Sequence, residues 1–235
     1  MRNLTGKDKL NDYREIAFLY VVVAALALCA QAEWRPEELP PGVICDSDSD
    51  CFLLPSAPIQ EPVPVLIYLS CTGGKPWDID SVRAVNDRLG WAIATCGKSR
   101  NHRSTALNEA DILRLQAKLE MTGQIDKSKM FLFGFSGQGA QALGAALRYP
   151  ELFAGAITDC AHTGGITHFG PEISANQLFY IITKTDDWNR QHNENLHALF
   201  VDYGIRDTLI ITPGEHGIGP ASEVFDGCSW IQSKF

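Results

Sequence analysis

Met130-Phe-Leu-Phe-Gly-Phe-Ser136-Gly-Gln-Gly139 passes from an unbroken apolar run into a glycine-rich turn, and a small-residue helical pattern from Ala140 to Tyr149 follows until Pro150 stops it. An apolar run of strand length without polar alternation predicts a strand buried on both faces. A helix directly after such a strand is half of a βαβ unit. Ser136 falls at the junction, beyond the carboxyl end of the strand, where doubly wound sheets bind their ligands. A serine hydroxyl is a weak nucleophile until a base takes its proton, so a reactive serine must be lifted out where a histidine can reach it. A sharp strand-to-helix turn does this and crowds the backbone, which glycines two before and two after the serine relieve. Gly134 fits that pattern. Gln138 holds the second position, and the glycines are displaced to 137 and 139. The same residues also fit a plain Gly-Ser turn that only packs the helix Ala140–Ala146 closely.

The pattern repeats outward. Val63-Pro-Val-Leu-Ile-Tyr-Leu69 and Trp91-Ala-Ile-Ala-Thr95 are strands before it, and Phe153–Thr158, Leu178–Thr183 and Thr208–Thr212 are strands after it. Between them, helical periodicity runs through Val82, Val85 and Leu89, then through Ile112, Leu115 and Leu119 to a stop near Gly123. It returns from Trp188 to Gly204 and from Ala221 to Lys234. Apolar strands alternating with helices predict an α/β fold, a doubly wound and mostly parallel sheet over residues 63–235. Residues 33–62 are a proline-rich lead-in with one short strand, Cys51-Phe-Leu-Leu54. No insertion is long enough for a large cap domain, so an open site is expected.

The chain has 235 residues, 45% of them apolar and 20% charged, with a formal net charge of -8. That length buries a full core as one domain. Phosphate binding needs clustered Lys and Arg, and no long basic run is present, so nucleic acid is excluded as a partner. At the N-terminus Arg2, Lys7, Lys9 and Arg14 precede an uncharged run from Ile16 to Ala30, short for a membrane span. Ala30-Gln31-Ala32 then offers small residues where a signal peptidase cuts, so residues 1–32 read as a signal peptide cleaved after Ala32. Asp8, Asp12 and Glu15 favour the alternative, an uncleaved N-terminal membrane anchor. A membrane is a partner only in that case, and either reading puts the rest of the chain outside the cytoplasm, secreted or periplasmic.

Cysteine usage agrees with export. Without Cys29 six remain: Cys45, Cys51, Cys71, Cys96, Cys160 and Cys228. An even number in an oxidising compartment suggests disulfides. Cys45 and Cys51 flank the turn Asp46-Ser-Asp-Ser-Asp50 and are the best single pair. Cys71, Cys96 and Cys160 end apolar strands and also fit buried free thiols. No C-x-x-C repeat points to zinc.

The run Gly134-Phe-Ser-Gly-Gln-Gly-Ala-Gln-Ala-Leu-Gly-Ala-Ala-Leu-Arg-Tyr-Pro-Glu-Leu-Phe-Ala-Gly155 resembles the α/β-hydrolase superfamily, and within it secreted single-domain esterases related to polyhydroxybutyrate depolymerases and feruloyl esterases. The resemblance extends loosely from about Cys51 to the C-terminus. It implies a chain order of Ser, then Asp, then His. The base is carried after the last strand, where Pro213-Gly-Glu-His216-Gly-Ile-Gly219 offers His216 on a flexible loop. His192 and His197 lie on a predicted helix with polar neighbours and face solvent, while His102, His162 and His168 lie in loops that border the pocket. The acid is carried after strand Leu178–Thr183, in a G-x-x-D pattern followed by an aromatic residue and Asn. Without gaps Asp187 matches, with Lys184 in place of the glycine; Asp186 is the close competitor, and the aspartate not used would cap the next helix. An oxyanion hole formed by backbone N–H groups would use Gly137 and a donor from the loop after Val63–Leu69. There the superfamily carries His-Gly and this chain has Ser70-Cys-Thr-Gly-Gly74, with Thr72 in the donor position.

The resemblance implies a serine esterase, a carboxylic ester hydrolase working through a Ser136–His216–Asp187 triad and an acyl-enzyme, without metal or organic cofactor, on a small-molecule or polymer-derived ester. The two departures, Gln138 and the missing His-Gly, keep open a catalytically degenerate binding protein on the same fold. An exopeptidase is a third reading, since peptidases share the scaffold.

Overall fold

Val63-Pro-Val-Leu-Ile-Tyr-Leu69 and Met130–Phe135 lie side by side at the centre of one sheet, and their alternate residues serve two cores. The computed structural model describes residues 38–56, 60–164 and 176–235. Its strands are β1 (Ile44–Cys45), β2 (Cys51–Leu53), β3 (Val63–Leu69), β4 (Ala92–Thr95), β5 (Ile125–Phe135), β6 (Gly155–Asp159), β7 (Leu178–Asp186) and β8 (Arg206–Glu215). Its helices are α1 (Pro76–Ser81), α2 (Ala84–Leu89), α3 (Thr105–Met121), α4 (Ser136–Arg148), α5 (Arg190–Asp202) and α6 (Ala221–Gln232). The eight strands are ordered β1-β2-β4-β3-β5-β6-β7-β8. Pairing is antiparallel for β1–β2 and β2–β4 and parallel from β4 to β8. This is the doubly wound, mostly parallel sheet that the apolar strand runs predict.

Side chains alternate across a strand, so a strand apolar at every position supplies both faces. Val65, Ile67, Leu69, Met130 and Leu132 pack under Ile112, Leu115 and Leu119 of α3, Ala142 to Ala146 of α4, and Leu196 and Phe200 of α5. Leu66, Tyr68, Phe131, Phe133, Ile157 and Tyr180 pack on the other side, under Ile79, Val85, Val224, Cys228 and Ile231. The small residues of α4 let that helix lie close over the strand carrying Phe135, which fixes where Ser136 emerges.

Several boundaries differ from the sequence reading. The helix expected through Val82–Leu89 is two short ones: Pro76 starts α1 at its first turn, and the backbone leaves helical geometry at Val82. Strand β5 begins at Ile125, before the expected Met130, and its register shifts between Val63↔Ile125 and Val65↔Met130. The polar residues Asp126–Lys129 bulge there, with Asp126 accepting hydrogen bonds from the N–H and hydroxyl of Ser128, which hides the strand from a periodicity search. Strands β7 and β8 run three residues beyond their expected ends, to Asp186 and Glu215. The lead-in carries a second short strand, β1, beside the expected Cys51–Leu54 one. Residues 1–32, including the signal-peptide or anchor reading, and His168 lie outside the described residues. Among the described residues no helix is long and apolar enough to cross a membrane.

Cys45 and Cys51 are disulfide-bonded across the β1–β2 pair, while Cys71, Cys96, Cys160 and Cys228 are free thiols. Between the bridged cysteines the Asp46-Ser-Asp-Ser-Asp50 turn wraps a cation from α3. Lys118 Nζ donates to Asp46 at 2.6 Å, Asp48 at 2.8 Å and Asp50 at 2.9 Å. Burial alone lowers the Lys118 ammonium, but those three hydrogen bonds outweigh it and hold it above its ordinary value of 10.5. Hydrogen bonds from Lys118 and Lys98 hold Asp48 below its ordinary 3.8, whereas burial pushes the fully buried Asp50 up. The Lys118 contribution is therefore complete below pH 10.5 and is lost only as pH rises through its raised folded value; the Asp48 contribution is complete above pH 3.8 and is lost as pH falls. Without Lys118, Arg114 and Lys98 still pair Asp48 and Asp50, so the loss is that of charged hydrogen bonds in a partly buried cluster, about 2 kcal/mol. Lys118→Met should thus lower the melting temperature at pH 7 by about 4–8 °C. The drop should shrink in a thermal melt as pH falls below 3.8, where the unfolded chain takes up the proton that folded Asp48 resists.

Candidate active site

Strand β5 ends at Phe135 and α4 begins at Ser136 with no intervening loop. The chain turns that sharply because Ser136 adopts φ 52, in the left-handed region that a non-glycine residue seldom occupies. The turn brings backbone against backbone: a Cβ on Gly134 would lie 2.3 Å from the Gln138 carbonyl, and one on Gly139 would lie 2.8 Å from the Gly134 carbonyl. Glycine at 139, rather than at 138, therefore provides the second clearance. A local φ outlier of this kind is strain that the surrounding structure holds in place, and such strain clusters at functional sites.

His216 immediately follows β8, and its imidazole reaches back to the turn. Ser136 Oγ lies 2.9 Å from His216 Nε2, and His216 Nδ1 lies 2.6 Å from Asp187 Oδ1. The Asp187 carboxylate can only accept, so Nδ1 carries the proton and donates it, leaving Nε2 free to accept from the serine hydroxyl. Asp187 sits just past β7 with its side chain fully buried. Its Oδ2 accepts the Thr183 hydroxyl at 2.8 Å and its Oδ1 accepts the Asn189 N–H at 2.9 Å. Burial pushes this carboxyl up, but the bonds from Asn189, His216 and Thr183 outweigh it and hold it below its ordinary value. It stays ionised at neutral pH.

Asp186 goes elsewhere. It is exposed at the end of β7 and accepts the Thr185 hydroxyl at 3.1 Å. The expectation that the unused aspartate caps the next helix is not met, since the residue before α5 is Asn189 and makes no side-chain cap. The other histidines stand apart from Ser136 in their contacts. His192 is exposed and bonds Thr163, as its polar surroundings suggest. His197, expected in solvent, instead bonds the buried Asp207 at 2.7 Å. His162 accepts the Gly164 N–H, and burial, then the neighbouring His192, lowers it.

Features invisible in the sequence surround the His216 loop. The Trp188 indole stacks on the imidazole with ring centroids 3.7 Å apart and an interplanar angle of 21°, while remaining 73% exposed itself. Phe135 covers another side at 5.0 Å. Beneath the loop, Asp159 accepts the Gly219 N–H at 2.8 Å and the Cys160 thiol lies 3.7 Å from the Gly217 carbonyl. Lys184, the residue standing in the expected glycine position, is buried between Asp159 at 3.5 Å and Glu223. Charged residues inside otherwise apolar strands are the only sign of this network in the sequence.

Gly137 lies in the turn itself, and Thr72 lies in the loop after β3. Gly137 is the second residue of α4, and a first-turn N–H has no acceptor within its own helix. Thr72 is exposed in the loop after β3, and that loop is clamped to the residue before Ser136: the Cys71 thiol lies 3.3 Å from the Phe135 carbonyl. Among the described residues, two groups bring metal-type donors within 4.8 Å of one another, Cys160 with Asp187 and His216, and Asp46 with Asp48 and Asp50. In the first, burial raises the Cys160 thiol far above its ordinary value, so it is uncharged, and the other two donors are spent on each other. In the second, the Lys118 ammonium takes the cation's place.

No protein-family model and no curated protein matches the chain. Solved structures do resemble it. The substrate-bound fluorophosphonate-binding serine hydrolase FphF of Staphylococcus aureus superposes with a TM-score of 0.62 at 13% identity, covering 82% of this chain and 94% of that one. Fungal esterases from Rhizomucor miehei give 0.64 at 16% identity, over 90% and 89%. A ferulic acid esterase gives 0.63 at 13% identity, over 79% and 92%. At these identities the likeness is one of fold.

Proposed function

We propose that this chain, which has the α/β-hydrolase fold, is a serine hydrolase that cleaves carboxylic esters through Ser136, His216 and Asp187. One observation carries the reading: an unbroken hydrogen-bond chain from Ser136 through His216 to the buried, ionised Asp187, starting on a residue held at φ 52. That arrangement is what a poor nucleophile needs, a base in contact and a carboxylate fixing the tautomer of that base.

In the proposed reaction Ser136 Oγ gives its proton to His216 Nε2 and attacks the acyl carbonyl carbon. The carbonyl oxygen becomes an oxyanion facing the N–H groups of Thr72 and Gly137, each donor contributing about 3 kcal/mol. Collapse breaks the ester C–O bond, and His216 returns the proton to the departing alcohol. Water, deprotonated by the same imidazole, then attacks the acyl-enzyme, and the acid leaves while Ser136 regains its proton. Asp187 stays ionised throughout and stabilises the imidazolium. The substrate is a small-molecule or polymer-derived ester. Residues 63–235 are the catalytic domain, and the Cys45–Cys51 disulfide supports an exported protein whose residues 1–32 are a signal peptide.

A fluorophosphonate probe, which needs an activated serine, tests this together with p-nitrophenyl acetate and butyrate. The expected result is one covalent adduct, mapped by peptide mass spectrometry to Ser136, and hydrolysis of the esters well above that of matched p-nitroanilides. An inert protein in both assays would favour the degenerate binding protein; anilide cleavage as fast as ester cleavage would favour a peptidase.

A further inference from the structure

Two departures from the usual pattern remain without a role, Gln138 two residues after the serine and Ser70-Cys-Thr-Gly-Gly74 in place of His-Gly. We infer that they are the two ends of one brace, in which Gln138 is a positioning residue that holds the Thr72 loop and the Gly137 N–H in register. The inference rests on the proposed serine hydrolase reading, which supplies the oxyanion these groups would face.

Gln138 is 1% exposed, so its amide is committed to partners inside the protein. Its Oε1 accepts the hydroxyl of the fully buried Ser99 at 2.8 Å, and its Nε2 points at Asn101 Oδ1 at 3.5 Å. These residues belong to the segment after β4, which touches Gly137 and, through Cys71, the loop that carries Thr72. Asn101 donates its N–H to the Cys71 carbonyl at 3.0 Å, beside Thr72. The Asn101 side chain lies over Gly137, where a Cβ would come within 2.6 Å of its Oδ1, so position 137 is glycine because Asn101 occupies that space.

The Cys71 thiol closes the circuit. It lies 3.3 Å from the carbonyl of Phe135, the residue directly before α4. The loop leaving Cys71 fits onto the same segment, with the Gly74 N–H donating to the Cys96 carbonyl at 2.9 Å and no room for a side chain at Gly73 beside the Gly97 carbonyl. The usual glycine at 138 carries no side chain to make such a tie. Here the amide of Gln138 fastens the post-β4 segment to the nucleophile helix, and that segment carries the loop of Thr72. An oxyanion donor displaced by a few tenths of an ångström loses contact in the transition state while ground-state binding is untouched, so the signature is in kcat rather than KM.

Gln138→Met keeps the volume and removes both hydrogen bonds, and Ser99→Ala removes one from the other side. With kcat normalised to active sites counted by fluorophosphonate titration, each variant should lose about tenfold in kcat, the size of one buried hydrogen bond, with KM within about twofold. The affinity of a trifluoromethyl ketone, which forms a tetrahedral oxyanion adduct, should fall by the same factor. The double variant should cost little more than either alone, since both break one brace. Wild-type kcat per titrated site in Gln138→Met, or a loss residing in KM with unchanged ketone affinity, overturns the brace and leaves the hydrolase reading standing. A wild-type protein inert to probe and ester removes both together.

Discussion

Ser136→Ala should lower turnover of p-nitrophenyl butyrate by about a million-fold, and the fluorophosphonate adduct should disappear with it. The size follows from the division of labour in the proposed site. Ser136 Oγ is the atom that forms the covalent bond, and its contact with His216 Nε2 at 2.9 Å has no substitute nearby. The free Cys160 thiol beside His216 is fully buried and uncharged, facing the Gly217 carbonyl rather than the opening. Without the serine only binding and the oxyanion donors remain, worth about 1,000- to 10,000-fold over water. His216→Ala should cost a similar factor, and the double variant no more than either single one, because nucleophile and base act as a unit. The fold should tolerate the change: Ser136 is half-buried and belongs to neither core, so the melting temperature should stay within about 2 °C of wild type. Activity surviving in a well-folded Ser136→Ala protein would mean that another group does the chemistry.

How much of this could be read in advance depended on the range of the physics involved. Apolar runs such as Val65–Leu69 are dictated by burial on both faces, and their positions in the chain predict the sheet directly. The Cys45–Cys51 bridge was legible because its two ends are six residues apart across a turn. Strand β5 lost its first five residues to a bulge, since a polar stretch such as Asp126–Lys129 steps out of the ladder between Ile125 and Met130 and leaves no periodic trace. The site divides in the same way. Gly134 and Ser136 announce themselves by local turn chemistry, and His216 by its place after the last strand in the order that the family resemblance implies. Trp188 stacking on His216, Lys184 between Asp159 and Glu223, and the reach of Gln138 to Ser99 each join segments that only the folded sheet brings together. Gln138 is the instructive case, because a residue that weakens a motif match on paper fills a space with its own buried partners.

The two adjacent aspartates should separate by about ten-thousand-fold. Asp187→Ala removes the group that orients the imidazole, and a loss of about that size in kcat is expected. Asp186→Ala should leave kcat within about twofold, since among the described residues its carboxylate hydrogen-bonds the Thr185 hydroxyl alone, at an exposed strand end. Asp187→Asn is the more telling change. The backbone N–H of Asn189 can only donate, and it points at the same oxygen as His216 Nδ1. The new amide therefore places its oxygen there and turns its NH2 toward the Thr183 hydroxyl, which can rotate to accept. The imidazole keeps its tautomer and loses only the negative charge beneath it, a difference of about 1.5–3 kcal/mol, so kcat should fall by about 10- to 100-fold. A drop as deep as that of Asp187→Ala would show that the tautomer flips despite Asn189. The pH profile adds a check: Asp187 is held below its ordinary value of 3.8, so it remains ionised down through that value. Acid loss of activity near or above pH 3.8 must then come from another group, and it should persist in the Asp187→Asn protein.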